Sequence, residues 1–140
     1  MTINPICYAC EELARQILNM KAPTNSNAHC MDGYNDKGET LEVKCLFNSR
    51  PSLGGKYVLE NTTDIKAAIE TYCTATFYAF FIEENKPLIM DKQTAVEWLL
   101  NHVVLDKMSS KRGGHYKLKI AKNERTEKQT QKIIAAGFTL

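Results

Sequence analysis

The sequence predicts an α/β fold of the α+β kind, with a central mixed β-sheet flanked by helices. Three observations lead there. Residues 39–47 alternate apolar and polar side chains, as a strand with one covered face does. Residues 75–83 (ATFYAFFIE) are aromatic and almost continuously apolar, as in a central strand covered on both faces. Stretches of helical periodicity fall between the strands rather than in a separate block. At 140 residues, 44% hydrophobic and 24% charged, the chain is sized for a single domain (1–140) and has an ordinary globular composition, which excludes disorder.

Taken in order, Asn4-Pro5 is a helix cap followed by a first-turn proline. Ile6, Cys10, Leu13, Ala14, Ile17 and Leu18 then recur at helical spacing, predicting a helix over 5–20. Pro23 and a polar stretch end it. Residues 28–34 read as a short strand, and Asn35-Asp36-Lys37-Gly38 as the turn into the strand at 39–47. There Leu41, Val43, Cys45 and Phe47 share one face, while Thr40, Glu42, Lys44 and Leu46 share the other. A loop through Pro51, Gly54 and Gly55 leads to a short strand at 56–59 and a helix near 63–73. After the aromatic strand, Asn85-Lys86 turns a hairpin into Leu88-Ile89-Met90. Ala95, Val96, Leu99, Leu100 and Val103 predict a third helix capped by Asp91. Residues 106–114 read as a basic loop, 115–121 as a strand, and about 124–136 as a polar helix stopping at Gly137.

The net charge of +2 permits nucleic-acid binding through a local patch without arguing for it. No apolar run is long enough to span a bilayer, and no basic segment followed by an apolar stretch opens the chain. The expected location is cytoplasmic, with no membrane partner. The 5 cysteines, an odd number, are then expected as thiols.

Chemistry concentrates in Asp32 and in Glu42-Val43-Lys44 beyond the glycine turn. The strand period puts the Glu42 and Lys44 side chains on one face. Antiparallel pairing of 28–34 with 39–47 would bring Asp32 toward Glu42. Two close carboxylates repel unless a cation lies between them, and hard oxygens suit Mg²⁺. A lysine beside them can position a water or neutralise charge on a phosphorus centre. Taken alone, Glu-x-Lys on a strand is a common solvated ion pair.

The stretch Asp32-Gly33-Tyr34-Asn35-Asp36-Lys37-Gly38-Glu39-Thr40-Leu41-Glu42-Val43-Lys44 resembles the signature of the PD-(D/E)XK nuclease superfamily. It is most similar to small type II restriction endonucleases of the PvuII kind, in its Asp32-to-Glu42 spacing and its intervening Gly38. The resemblance extends over about 28–47 and, by element order, to about 83. Met31 stands where the family's motif often has proline, and no histidine-rich loop follows the motif strand. The resemblance implies a restriction-endonuclease-like fold, metal ligation by Asp32, Glu42 and the Val43 carbonyl, and Lys44 as the catalytic lysine. It further implies a Mg²⁺-dependent endonuclease of a restriction system, acting on double-stranded DNA as a homodimer. A Holliday-junction resolvase or a phage or mobile-element nuclease shares the fold. A DNA-binding protein that keeps the fold without turnover is the rival from another class.

Ser49, Arg50 and Lys56, in the glycine-containing loop after the motif, are candidates for DNA contact, as are Lys111 and Arg112 in the second basic region. A polar connecting loop explains the first group about as well. Lys117 and Lys119 suit either a phosphate-tracking face or a protected edge strand. Glu11 and Glu12 read as a solvated helix surface, although in related nucleases an acid from this helix can approach the metal. Cys7 and Cys10, with His29-Cys30, form a thin zinc pattern that competes with ordinary core cysteine.

Overall fold

The computed structural model describes residues 4–24, 31–54, 56–107 and 115–140. The chain forms two compact units. One comprises Met1–Asn48 with Thr74–Ala95, the other Ser49–Cys73 with Val96–Leu140.

The first unit opens with helix α1 (Pro5–Leu18). Asn4 caps it, its Oδ1 accepting from the Ile6 amide at 2.9 Å, and Asn19 ends it in the left-handed region at φ 55°. Strands β1 (Gly33–Tyr34) and β2 (Thr40–Cys45) pair antiparallel, Gly33 opposite Leu41 and Tyr34 opposite Thr40. The turn between them is wound around Asn35, whose Oδ1 accepts from the amides of Lys37 (3.1 Å) and Glu39 (3.0 Å). Gly38 supplies the positive φ of 79° that closes it. β1 is shorter than the strand expected over 28–34. Residues 31 and 32 approach it as irregular chain, and 28–30 lie outside the described residues.

Strand β3 (Phe77–Glu83) lies parallel to β2, Glu42 opposite Tyr78 and Lys44 opposite Phe80. Strand β4 (Lys86–Asp91) returns antiparallel along β3, giving a mixed sheet in the order β1-β2-β3-β4. The aromatic strand is interior to the sheet, and its residues Tyr78 to Phe81 are buried. The apolar stripe of α1 covers one face. Cys10 and Ala14 form a cluster with Leu41, Val43, Cys45, Ala79 and Phe81. The alternation of β2 is thus resolved, with Leu41, Val43 and Cys45 meeting the helix.

In the second unit residues Lys56–Leu59 form a 3₁₀ turn where a strand was expected. Four residues are too few for strand and helical turn to be told apart by period. Helix α2 (Ile65–Tyr72) is capped by Asp64, whose Oδ1 accepts from the Ala67 amide at 3.2 Å. Helix α3 (Lys92–His102) carries the chain from the first unit into the second. Strand β5 (Val103–Lys107) begins at the next residue and pairs antiparallel with β6 (Tyr116–Ile120). β5 corrects the expected loop at 106, because its apolar run continues the helical stripe with no linker between. Helix α4 (Glu127–Ala135) starts with a Thr126–Gln129 capping box and ends at Gly137, φ 95°. Leu53, Ile65, Ile69, Leu99, Val103, Leu118, Ile120 and Ile133 are the largest fully buried apolar side chains described in the second unit.

The described residues therefore form an α+β arrangement of four α-helices, a mixed four-stranded sheet and a two-stranded ribbon. Among them no helix is long and apolar enough to cross a membrane.

Candidate active site

β2 places Glu42 and Lys44 two residues apart, on the face turned away from the α1 cluster. Lys44 Nζ lies 3.6 Å from Glu42 Oε1, with side chains 19% and 10% exposed. The solvated pair that an isolated Glu-x-Lys suggests is therefore not what forms. This pair is largely desolvated, which makes its charges costly to separate.

Asp32 reaches the same strand through the backbone. Its amide donates to the Leu41 carbonyl at 2.6 Å, and its carboxylate Oδ2 accepts from the Val43 amide at 2.8 Å. In an extended strand a residue's N–H and C=O point to the same edge, so the Val43 carbonyl shares the edge that Asp32 occupies. Asp32, Glu42, Val43 and Lys44 are thus brought together within the first unit, as their spacing suggested.

α1 adds two residues that the motif does not contain. Arg15 is buried (8% exposed) and its Nη1 donates to the Asp32 carbonyl at 2.8 Å. The same nitrogen lies 4.0 Å from Glu11 Oε1, one helical turn earlier. Gly33 makes room for this. A Cβ there would lie 3.1 Å from Arg15 Cγ and 3.3 Å from Leu41 Cδ2. Glu11 belongs to the site and not to a solvated surface. Burial, followed by the charge of Asp32 and a hydrogen bond to it, raises its pKa to about 7. Arg15 opposes that rise and Glu42 adds to it. Glu12 is exposed, as expected. For Arg15 the one sequence signal is its i,i+4 spacing from Glu11, which many surface pairs share; for Glu11 the family resemblance added a second.

Among the described residues no three His, Cys, Asp or Glu side chains are gathered so as to hold a metal ion by themselves. The acids of Glu11, Asp32 and Glu42 interact electrostatically without forming a closed cage.

The remaining candidates belong to the second unit or lie outside the described residues. Ser49 and Arg50 are exposed and belong to the second unit. Lys56 opens the 3₁₀ turn of that unit. Lys111 and Arg112, like His29 and Cys30 of the zinc pattern, lie outside the described residues. Lys119 is paired with Asp106 at 3.3 Å, as suits a strand-face ion pair. His102 is a core residue, stacked on Trp98 at 3.6 Å with Nδ1 3.1 Å from the Ala121 carbonyl oxygen. Compared with protein-family models, with curated proteins and with solved structures, the chain gives no match.

Proposed function

We propose that the chain is a Mg²⁺-dependent endodeoxyribonuclease that hydrolyses phosphodiester bonds of double-stranded DNA on a restriction-endonuclease-like fold. In this reading it acts site-specifically, as a type II restriction enzyme does, and as a homodimer in which each subunit cuts one strand. One observation carries the proposal. Asp32 is seated on the Val43 amide beside the desolvated Glu42–Lys44 pair, and the acids there crowd enough to lift Glu11 to about 7.

The donor chemistry fits Mg²⁺, which is commonly held by one or two carboxylates and completed by water and substrate phosphate. Asp32, Glu42 and the Val43 carbonyl would hold it, so a closed three-acid cage is not required. Bound there, the ion would supply Lewis-acid polarisation of the scissile phosphate and a more acidic water. The Val43 amide fixes the Asp32 carboxylate and Lys44 lies beside that of Glu42, so both acids are held at β2. Lys44 holds a positive charge at the strand surface, where it can orient an attacking water and offset charge developing on the phosphate oxygens. Arg15 holds the Asp32 backbone through its carbonyl.

The test is plasmid cleavage titrated with Mg²⁺ for wild type, Asp32→Ala and Glu42→Ala. The expected result is metal-dependent cleavage by wild type and none by either variant, with circular dichroism unchanged. Either variant cutting near the wild-type rate would overturn the assignment. Preference for a four-way junction over linear duplex would make the chain a resolvase. Binding without cleavage would make it a DNA-binding protein.

A further inference from the structure

We propose that Cys7, Cys10 and Cys45 form an oxidation-sensitive cross-linking site that ties α1 to β2 and regulates the neighbouring acidic site. Cys7 and Cys10 lie one turn apart on α1, and Cys45 ends β2, the strand that α1 covers. Cys10 and Cys45 belong to one apolar cluster, and Cys7 packs against it. Cys45 thus shares one packed cluster with both helical thiols. All three are free thiols.

Their exposures differ in a way that orders the chemistry. Cys10 and Cys45 are 2% and 9% exposed, whereas Cys7 is half-buried. Burial screens the two inner thiols from solvent, which keeps them slow toward oxidants. A peroxide therefore meets Cys7 first. The Cys7 sulfur attacks one peroxide oxygen, the S–O bond forms, the O–O bond breaks, and hydroxide leaves and takes up a proton as water. The Cys45 sulfur then attacks the Cys7 sulfenic acid. The S–S bond forms, the S–O bond breaks, and hydroxide departs with the Cys45 proton as a second water. Two thiols give two electrons to one peroxide. Exchange with Cys10 can move the bond inward without further oxidant.

The cross-link sits beside functional side chains at both ends. Cys10 directly precedes Glu11, and Cys45 directly follows Lys44. A disulfide holds its sulfurs at about 2 Å, closer than two thiols rest in contact, so oxidation draws α1 toward β2. That shifts Glu11 and Arg15 against Asp32. The effect on cleavage rests on the nuclease reading above, while the cross-link itself does not.

The experiment treats the full chain with hydrogen peroxide, alkylates the remaining thiols after denaturation, and maps unreduced peptides by mass spectrometry. The expected product is a peptide pair joining Cys45 to Cys7 or Cys10, lost on reduction and absent from Cys7→Ser. Full alkylation of all three cysteines, or Cys7 carried alone to the sulfinic acid, would overturn the proposal. Cleavage by the oxidised sample should fall on the order of tenfold or more and return with dithiothreitol, since small misplacements of reacting groups have effects of that size. Unchanged cleavage by a fully cross-linked sample would overturn its regulatory half. Absence of cleavage before oxidation would overturn the nuclease reading alone, because the cross-link is scored without DNA.

Discussion

Lys44 is the residue at which structural and catalytic roles separate most cleanly. Its ammonium and the Glu42 carboxylate are both largely removed from water, so cutting Lys44 back takes a nearby counter-charge from a largely buried carboxylate. Lys44→Ala should therefore lower stability somewhat and remove most of the cleavage rate. DNA binding in Ca²⁺ should survive, because Asp32 and Glu42 remain. Lys44→Arg should restore stability better than activity, since a planar guanidinium that stays protonated cannot take the place of an ammonium. Single-turnover cleavage beside a binding titration checks both variants, and an alanine variant of full activity ends the mechanism. Arg15 makes the opposite case. Arg15→Met should cost about 2 kcal/mol in urea unfolding, the usual worth of a charged hydrogen bond. It should also weaken the apparent affinity for Mg²⁺, because Asp32 loses its backbone anchor. Asp32, Glu42 and Lys44 were legible in the sequence because a two-residue strand period and one glycine turn nearly fix their relation. Arg15 was not, because helical periodicity tells which face is covered and not which polar side chain reaches a distant loop, and for Glu11 only the family resemblance offered an alternative to a solvated surface.

At the scale of elements the β1–β2 hairpin aims Asp32, and its turn is open to a clean test. Gly38 has φ 79°, and a Cβ there would meet nothing within 4 Å, so Gly38→Ala carries conformational strain alone. It should cost about 1 kcal/mol and leave the cleavage rate per folded molecule nearly unchanged. A large fall in cleavage with little loss of stability would mean that the turn does more than connect. The elements that were legible are those with a strong period and a distinct stop. α1 has Asn4-Pro5 before it, the aromatic β3 is apolar on both faces, and α4 halts at Gly137. β5 was hidden because α3 runs into it at Val103 without a turn residue. The 3₁₀ turn at Lys56–Leu59 was hidden because it is shorter than either period needs.

For the whole molecule, assembly and pH response are the properties to measure. If two-fold DNA is cut by a two-fold enzyme, sedimentation should find a dimer at least on DNA, and a monomer throughout would count against the proposal. The pH response has opposite signs in the two units. Glu11, in the first, holds its proton to about pH 7, whereas a free glutamate loses it near 4.3. The stability it contributes without metal is full below about 4.3 and is lost as pH rises through about 7. Glu11→Gln should flatten that fall in a melting series between those limits. His102, in the second unit, is pushed the other way. Burial, opposed by the Ala121 carbonyl, lowers its pKa, so its stability is present above about 6.5 and is lost as pH falls through the folded value. Trp98 is the single tryptophan and stacks on His102, so its fluorescence should report that protonation as the solution is acidified. An emission unchanged down to acid unfolding would refute this.

β2 and β3 lie side by side, yet the chain between them, Ser49–Cys73, belongs to the other unit. On a ribosome, therefore, the residues up to Asn48 leave the exit tunnel carrying every motif side chain but no strand to cover β2. The hairpin must wait until residues 77–83 have been synthesised. Pairing across so long a sequence gap is slow, because loop closure is paid for before the contacts form. A nascent chain stalled near residue 48 should be fully protease-sensitive, and one stalled beyond the tunnel length after Asp91 should acquire protection over α1 and β2 together. The proposed metal site would thus be a late product of the chain's own synthesis.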